Sequence, residues 1–267
     1  MHRVFSPLLQ PLRTRASRAL VLGLLTCALL FAQSSRSDAE EVTVWVYHNF
    51  PPFIVNEGTQ EGLSFDLARL LTRGSEGRLT FQVQVLPRKR LNQRLAAGRP
   101  GIVLWANSAW FGDRPETRYR WTRRLISDSN VVISPATAPV DYAGPHSLSG
   151  MTITGIRGHR YPGIDMLVEA GYITRINFNT EGQLVRFIGS GRGGAAIIAR
   201  SAAQYFTRTF GLEDDIHFAS QPHSSYERRI LVQPQLGNVH TYIERILSDA
   251  DANRRWRQLV EGYGLSH

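Results

Sequence analysis

Residues 180–198 read TEGQLVRFIGSGRGGAAII, and the order of elements in this stretch indicates the fold class. The first nine residues have helical periodicity, and Thr180 with Gln183 fits a capping box that satisfies backbone donors at a helix start. The glycines at 189–194 follow the helix, and the apolar run Ala195–Ala199 follows the glycines. The stretch therefore predicts a helix, a tight turn and then a buried strand.

The same glycines fit the pattern G-x-G-x-x-G, which holds a pyrophosphate in dinucleotide-binding units. The acidic run Glu213-Asp214-Asp215 follows about 20 residues on, where such a unit carries a ribose-binding acid. A pyrophosphate cradle must, however, follow a strand and open a helix, because the phosphate rests on the helix N-terminus. Here the helix comes first, and its carbonyl end repels phosphate. We therefore predict a helix cap, and no nucleotide or other cofactor.

The chain after residue 40 alternates between strand and helix patterns. Ser64 is positioned to cap the first helix and Gly74 to end it. This βαβαβ order predicts a mostly parallel sheet with helices on its faces. The predicted strands are Val42–Tyr47, Phe81–Val85 and Ile102–Trp105, and the predicted helices are 64–73 and 88–97.

A linker rich in proline and alanine, residues 135–145, interrupts this order, and the alternation then restarts. Two β/α units joined by a linker predict two lobes. In each lobe the second helix ends in a short glycine turn that leads into a strand, at Gly98 in the first and Gly191 in the second. The later predicted strands are 151–155, 195–199 and 226–232, and the later predicted helices are 163–170, 180–188, 201–209, 239–247 and 253–260.

Residues 1–39 have the features of a secretory signal peptide. The first 18 residues hold four arginines and no acid, Ala19–Ala32 is almost wholly apolar, and Ser37-Asp38-Ala39 is a small-x-small cleavage motif. The apolar run is shorter than the roughly 20 residues of a membrane-spanning helix. The alternative to a cleaved signal peptide is an uncleaved N-terminal anchor. Cys27 is the only cysteine, and its context departs from a lipoprotein motif. We therefore predict export without a lipid anchor or disulfides.

The charge of the chain does not indicate a nucleic-acid partner. The formal net charge is +9, and removal of residues 1–39, with five Arg and one Asp, leaves +5. The arginines are scattered rather than clustered in a stripe, and Arg88-Lys89-Arg90 opens a helix pattern typical of a solvated face. We predict a soluble monomer that does not bind nucleic acid.

No motif in the sequence indicates a catalytic or metal centre. The chain contains no G-x-S-x-G, H-E-x-x-H or P-loop pattern. No two histidines after residue 40 have metal-ligand spacing along a helix. We therefore predict a binding protein rather than an enzyme, with neither catalytic residues nor a metal.

Five segments between residues 42 and 262 carry a family resemblance through their order and spacing. They are Tyr47–Phe53, with its aromatic-Pro-Pro-Phe turn; Gly62–Ala68, which opens the first helix; Leu95–Arg99, which ends the second; Arg114 with Trp121 and Leu125–Asp128; and Leu148–Gly158. In these segments the chain resembles the bacterial extracellular solute-binding proteins of family 3, the periplasmic components of polar amino-acid-type ABC importers.

The resemblance implies an α/β, two-lobed periplasmic binding protein fold of type II. Each lobe would be a mostly parallel sheet flanked by helices, with lobe 1 formed by residues 42–132 and 225–267 and lobe 2 by residues 137–222. A hinge near residues 131–137 and 221–226 would join the lobes, which close over a ligand in the cleft.

The resemblance also implies a function. It predicts a periplasmic protein that captures a small polar or anionic molecule and delivers it to an ABC permease in the inner membrane. A periplasmic ligand sensor, a dehydratase-like enzyme of the same fold and a binding protein whose site has decayed are the alternatives.

Aromatic residues are among the ligand contacts that the resemblance implies. Tyr47, Phe50 and Phe53 stand where the family's aromatic walls enclose the ligand, with packing in the lobe core as the alternative. Trp105 and Trp110 flank the exit of the third strand and are further candidates.

An arginine would hold the ligand carboxylate, because its planar fork matches a carboxylate bidentately. Arg114 stands at the family's position for this residue, and Arg118 is the competing candidate.

The chain departs from the family where the ammonium group of an amino acid would bind. Gly101 and Gly194 replace the usual acids after the glycine turns, and Ala199 or Arg200 stands where the amine-binding acid falls. An ammonium buried without a carboxylate is costly. We therefore predict an anionic or neutral small molecule. Its predicted contacts are Arg114, Arg157 and Arg160, the last following His159 where the family has small hydroxyl residues.

Overall fold

Strands and helices alternate from Glu40 to Ala106, as the sequence patterns predict, and again from Thr152 to Phe210, where the strand Thr174–Phe178 was not predicted. The computed structural model describes residues 1–2 and 39–265, so Cys27 and most of the predicted signal peptide lie outside the described residues. No helix of this described part is long and apolar enough to cross a membrane.

The regular elements are numbered in chain order. The strands are β1 (Glu40–Val46), β2 (Leu79–Val85), β3 (Ile102–Ala106), β4 (Arg120–Trp121), β5 (Ile126–Pro135), β6 (Thr152–Ile156), β7 (Thr174–Phe178), β8 (Ala195–Ala199), β9 (Ile216–Phe218) and β10 (Ser224–Val232). The α-helices are α1 (Leu63–Gly74), α2 (Arg88–Ala96), α3 (Ile164–Glu169), α4 (Glu181–Gly189), α5 (Arg200–Phe210), α6 (Gly237–Ser248) and α7 (Ala250–Gly262).

Each lobe has a mostly parallel sheet with one antiparallel strand. In lobe 1 the order is β2-β1-β3-β10, with β10 antiparallel to β3 and the others parallel. In lobe 2 the order is β7-β6-β8-β5, with β5 antiparallel to β8. Val44, Trp45 and Val46 in β1 are all buried, because helices cover both faces of the sheet.

The strands β5 and β10 connect the two sheets. Residues 224–228 of β10 pair with residues 126–130 of β5, and the remainder of β10 pairs with β3 and β4. Residues 130–133 of β5 pair with β8 in the other lobe. Both strands therefore pass between the lobes side by side.

Helices cover both faces of each sheet. In lobe 1, Leu67 of α1, Ile243 of α6 and Trp256 of α7 share one hydrophobic cluster, and α2 covers the opposite face. In lobe 2, α4 and α5 cover one face and α3 the other. The last two helices thus pack with the first lobe.

The start of α1 differs from the prediction. Ser64 does not cap the helix; Gly62 precedes it without a side-chain cap. The Ser64 hydroxyl instead accepts a 2.8 Å hydrogen bond from Trp105 Nε1. Both side chains are fully buried, so the indole N–H needs this acceptor inside the core.

The glycine turn has the predicted order. Helix α4 begins after Thr180, whose hydroxyl accepts from the Gln183 N–H, and ends at Gly189 before β8. Gly191 has a φ of 74°, a conformation that glycine adopts without strain. A Cβ on Gly194 would lie 2.7 Å from the Thr152 carbonyl oxygen. The acid that the family carries at this position is therefore excluded sterically.

Candidate ligand-binding site between the lobes

Side chains that follow strand ends in both lobes meet where β5 and β10 pair between the lobes. His48 follows β1 and lies 3.1 Å from Arg228 on β10. Trp110 follows β3 on a short 3-10 helix, Ser108–Phe111. Ser201 follows β8 and donates to Asp128 on β5. The crevice at the carboxyl ends of parallel strands is the usual ligand position in open α/β folds.

Arg228 is the central charge of this region, and its side chain is only 2% exposed. Its Nε donates to Asp128 Oδ2 at 2.7 Å, its Nη1 lies 3.1 Å from His48 Nε2, and its Nη2 donates to the Tyr226 hydroxyl at 3.3 Å. A guanidinium carries five N–H groups. Two of them, one on each Nη, have no hydrogen-bond partner among the described residues.

Three aromatic rings surround the same guanidinium. Its central carbon lies 4.6 Å from the ring centre of Phe53, 5.1 Å from that of Tyr226 and 5.6 Å from that of Trp110. A cation within about 6 Å of an aromatic ring face is attracted by the ring's quadrupole. We call Phe53, Trp110, Tyr226, His48 and Asp128 the Arg228 cage.

The carboxylate of Asp128 is fully occupied. Its Oδ1 accepts from the backbone N–H groups of Ser129 and Ser201, at 2.8 and 3.2 Å. Its Oδ2 accepts from the Ser201 hydroxyl at 2.8 Å and from Arg228. A carboxylate offers about four acceptor positions. Asp128 therefore has none left for a ligand ammonium.

The protonation states of the cage follow from burial and charge. Burial, and then the charges of Arg228, His159 and Arg88, hold the pKa of His48 well below its ordinary value. Its imidazole is therefore neutral, so that Nε2 can accept from Arg228. Burial alone would lower the pKa of Arg228, but Tyr226 and Asp128 raise it above its ordinary value. The cage thus holds one carboxylate and one guanidinium.

Two of the predicted aromatic contacts lie in the core of lobe 1. Phe53 and Trp105 are fully buried, with ring centres 4.7 Å apart. Trp105 also stacks on Trp256 at 6.0 Å, and its φ of 62° is one that a bulky residue rarely adopts. The ring face of Phe53 still contacts the Arg228 guanidinium, whereas Trp105 packs against Phe53 and does not contact Arg228 through its ring.

The other predicted aromatic residues are half-buried. Phe50 packs against the hydrophobic clusters of both lobes. Trp110 lies between the cage and a cavity of about 260 Å³ that Arg118 also lines. Tyr47 lies beneath the guanidinium of Arg88, at 4.9 Å, and burial raises its pKa to about 12. Arg88 is therefore not part of a solvated face as predicted, because it stacks on this ring.

The three predicted ligand arginines are exposed. Arg114 lies in a loop whose neighbouring Asp113 accepts four hydrogen bonds. Arg157 follows β6, and its Nε donates to Asn179 at 2.9 Å. Arg160 is 84% exposed and 4.0 Å from Asp165. No hydrogen bond among the described residues joins any of the three to the Arg228 cage.

Sequence reasoning missed four residues of the cage: His48, Asp128, Tyr226 and Arg228. A signal was present, because Tyr226, Arg228 and Ile230 share one face of β10. A charged residue in phase with a buried apolar position of a strand indicates a buried charge that needs a partner.

A buried acid, Glu181, lies at the same edge of lobe 2. It opens α4 directly after β7, and burial raises its pKa to about 7. Its charge acts on Tyr161, whose hydroxyl accepts from the N–H of Ile156, at the end of β6, and donates to the carbonyl of Ile197, in the middle of β8. In residues 1–2 and 39–265, no group of three or more His, Cys, Asp or Glu side chains could hold a metal ion.

Solved structures share this architecture. An arginine-binding protein from T. maritima is 16% identical, with a TM-score of 0.61 over 84% of this chain and 95% of the other. The GluR0 ligand-binding core from Nostoc punctiforme, in complex with L-glutamate, is 10% identical, with a TM-score of 0.62 over 83% and 98%. The substrate-binding protein of an amino acid ABC transporter is 14% identical, with a TM-score of 0.58 over 84% and 98%.

At the level of sequence, no protein-family model and no curated protein matches the chain. Structural likeness at such low identity shows the fold alone. The chain therefore has the two-lobed fold of the periplasmic solute-binding proteins that its sequence resembles.

Proposed function

We propose that the protein is a periplasmic solute-binding protein that captures a small anion in the cleft between its lobes and delivers it to an ABC permease. The observation that carries this proposal is that the two partners of the central ion pair differ in their unused hydrogen-bonding positions. Asp128 has no acceptor left, whereas Arg228 retains two N–H groups. The centre of the cleft can therefore bind an acceptor group but not an ammonium.

The charges around the cleft support an anion. Arg157 and Arg160 follow β6 in lobe 2, and Arg200 follows β8 where the family carries its amine-binding acid. Arg114 follows β3 in lobe 1. A carboxylate or phosphate group held between such residues gains charge-assisted hydrogen bonds, which are stronger than neutral ones. We propose that Arg228 contacts the ligand at the base of the cleft and that these exposed arginines contact the ligand as the lobes close.

Ligand entry requires the lobes to separate. Arg228 is almost completely buried, and Phe50 packs against the hydrophobic clusters of both lobes. The two strands β5 and β10 that pass between the lobes are the elements about which such an opening would turn. Closure of this kind excludes water and strengthens the electrostatic attraction between arginine and anion.

The proposal is tested by ligand screening of the exported protein. Native mass spectrometry first identifies any small molecule that co-purifies. Thermal shift is then measured with mono-, di- and tricarboxylates, inorganic phosphate and the common amino acids. We expect carboxylates or phosphate to raise the melting temperature. A rise with free amino acids and with none of the anions contradicts the proposal.

The individual contacts are tested by single substitutions to alanine at Arg114, Arg157 and Arg160. Each is exposed, so we expect the fold to persist and the affinity for the anion to fall. Arg254→Ala is the matched control, because Arg254 is also exposed but lies on α7. If a substitution lowers the affinity no more than Arg254→Ala does, the substituted arginine is not part of the proposed site.

An enzyme of the same fold is the second candidate, and Glu181 is the observation that favours it. An acid whose pKa is raised toward neutrality by burial is suited to proton transfer. Incubation of the protein with its ligand, followed by NMR of the ligand, distinguishes the two functions. We expect the ligand to be recovered unchanged; turnover that Glu181→Gln abolishes establishes the enzyme instead.

A further inference from the structure

We propose that Arg228 is the built-in occupant of a guanidinium site, and that its presence makes the cleft select anions. The second part of this inference rests on the proposed function, whereas the first concerns the cage alone. The cage offers a guanidinium one carboxylate, two neutral hydrogen-bond partners and three aromatic faces, and the chain fills it with its own side chain.

The partners of Arg228 match guanidinium chemistry in kind. Its carboxylate partner, Asp128, lies 2.7 Å from Nε, and its two neutral partners, His48 and Tyr226, each meet one Nη. The aromatic faces of Phe53 and Trp110, together with that of Tyr226, lie within 4.6–5.6 Å of the guanidinium carbon. Aromatic faces combined with a carboxylate are a typical cage for an organic cation.

Two members of the cage, Asp128 and Phe53, are held in place by contacts that do not involve Arg228. The backbone N–H groups of Ser129 and Ser201 and the Ser201 hydroxyl fix the carboxylate of Asp128. Phe53 is locked in the hydrophobic cluster of lobe 1. Removal of the Arg228 side chain is therefore expected to leave a pocket whose walls stay in position and whose carboxylate lacks its cation.

The same arrangement explains a selection for anions. A free cation entering the cleft meets the charge of Arg228, and Asp128 has no acceptor to offer it. An anion meets the two N–H groups that Arg228 does not use inside the cage. The charge of a single side chain on β10 thus decides which sign of ligand the centre accepts.

Chemical rescue of Arg228→Ala tests the cage. We measure melting temperature with millimolar methylguanidinium and, at equal ionic strength, with methylammonium, which is a cation without the planar fork. A ligand present at about 100 times its dissociation constant raises the melting temperature of a chain this long by roughly 5–10 °C. We expect such a rise for Arg228→Ala with methylguanidinium, and none for the unmodified protein, whose cage is filled.

The double variant Arg228→Ala, Asp128→Asn is the matched control. Its pocket has the same volume but lacks the carboxylate, so the response to methylguanidinium should be lost. An equal response in the double variant, or in the unmodified protein, overturns the cage. If Arg228→Ala does not fold without additive, refolding yield is scored with each cation. Recovery with methylguanidinium alone supports the cage, and equal recovery with methylammonium overturns it.

Arg228→Gln tests the selection for anions separately. The glutamine amide can still donate a hydrogen bond to Asp128 but carries no positive charge. With succinate, citrate and inorganic phosphate as probes, we expect at least a tenfold loss of affinity against the unmodified protein. An unchanged affinity overturns the selection while the cage stands. If the unmodified protein binds none of the anions in the ligand screen, the proposed function fails and the rescue result is unaffected.

Discussion

The Nε atom of Arg228 lies 2.7 Å from Oδ2 of Asp128, and this pair joins the two strands that pass between the lobes. Both side chains are 2% exposed. Asp128 also accepts from the backbone and hydroxyl of Ser201, so the first turn of a lobe 2 helix is tied to the same carboxylate. A single buried ion pair therefore connects β5 and β10 to the start of α5 in the second lobe.

Asp128→Ala is predicted to lower the free energy of unfolding by about 3–5 kcal/mol. The substitution leaves the Arg228 guanidinium buried without a counter-charge, which costs more than the pair itself contributes. The double variant Asp128→Leu, Arg228→Met should cost less than the sum of Asp128→Leu and Arg228→Met measured alone, because no unpaired charge remains in the double variant. Urea denaturation of the four proteins gives the coupling.

The control for this cycle lies on the same strand. Glu227 and Arg124 form an exposed pair at 3.6 Å, with both side chains about half exposed. Glu227→Ala should cost less than about 1 kcal/mol, as exposed pairs do. If Asp128→Ala costs no more than Glu227→Ala, the buried pair is not the link that its burial indicates.

The fold followed from the sequence because its signals are local. The helix that ends at Gly189 and the strand that begins at Ala195 are specified by neighbouring residues, so their order was readable. The strand pattern at β1 and the helix patterns of α1 and α2 are local in the same sense. Their boundaries differ from the predictions by two residues or fewer.

The site did not follow, because its contacts join distant residues. Arg228 and Asp128 are 100 positions apart, and no periodicity reports such a pairing. Ser64 shows the same limit, since a hydroxyl well placed for a local cap was taken by Trp105, 41 positions away. Only a charge in phase with buried positions of β10 marked Arg228 as unusual.

Stability is predicted to fall with pH below about 6.5 because of His48. The folded state lowers the pKa of this imidazole, so the unfolded chain binds the proton first. The contribution of the neutral ring is present above the unfolded pKa of about 6.5 and is lost as pH falls toward the folded pKa. The groups that face the ring, Arg228, His159 and Arg88, all oppose its protonation.

The measurement compares melting temperature from pH 8 to pH 5 in the unmodified protein and in His48→Gln. The glutamine oxygen can still accept from Arg228 but does not titrate. Other titrating groups are shared by the two proteins, so their effects cancel in the difference. We expect a smaller decrease in the variant at acid pH; parallel curves would show that His48 is not responsible.

Glu181→Gln is predicted to stabilise the protein at alkaline pH. Burial raises the pKa of Glu181 from 4.5 to about 7, so the folded state binds the proton more tightly than the unfolded chain. The cost of the charged form is absent below pH 4.5, grows between pH 4.5 and 7, and is complete above that. At 1.36 kcal/mol per pH unit, the variant should gain about 3 kcal/mol at pH 8.

Denaturant titrations at pH 8 and pH 5 test this prediction, because the gain should fall below about 1 kcal/mol at the lower pH. Glu169→Gln, at the exposed end of α3, is the matched control and should show no such dependence. If the difference in free energy of unfolding between Glu181→Gln and the unmodified protein is the same at both pH values, burial does not raise the pKa of Glu181 as predicted.

Gly194→Ala is predicted to destabilise lobe 2 by about 1–3 kcal/mol, the usual cost of overpacking. The new Cβ would lie 2.7 Å from the Thr152 carbonyl oxygen, and a backbone atom at the start of β6 cannot move aside cheaply. Gly262→Ala is the control, since a Cβ there meets nothing within 4 Å. In a helix the control change should be neutral or slightly stabilising. Urea denaturation measures both variants. If Gly194→Ala is as stable as the unmodified protein, the absence of an acid at this position has no steric cause.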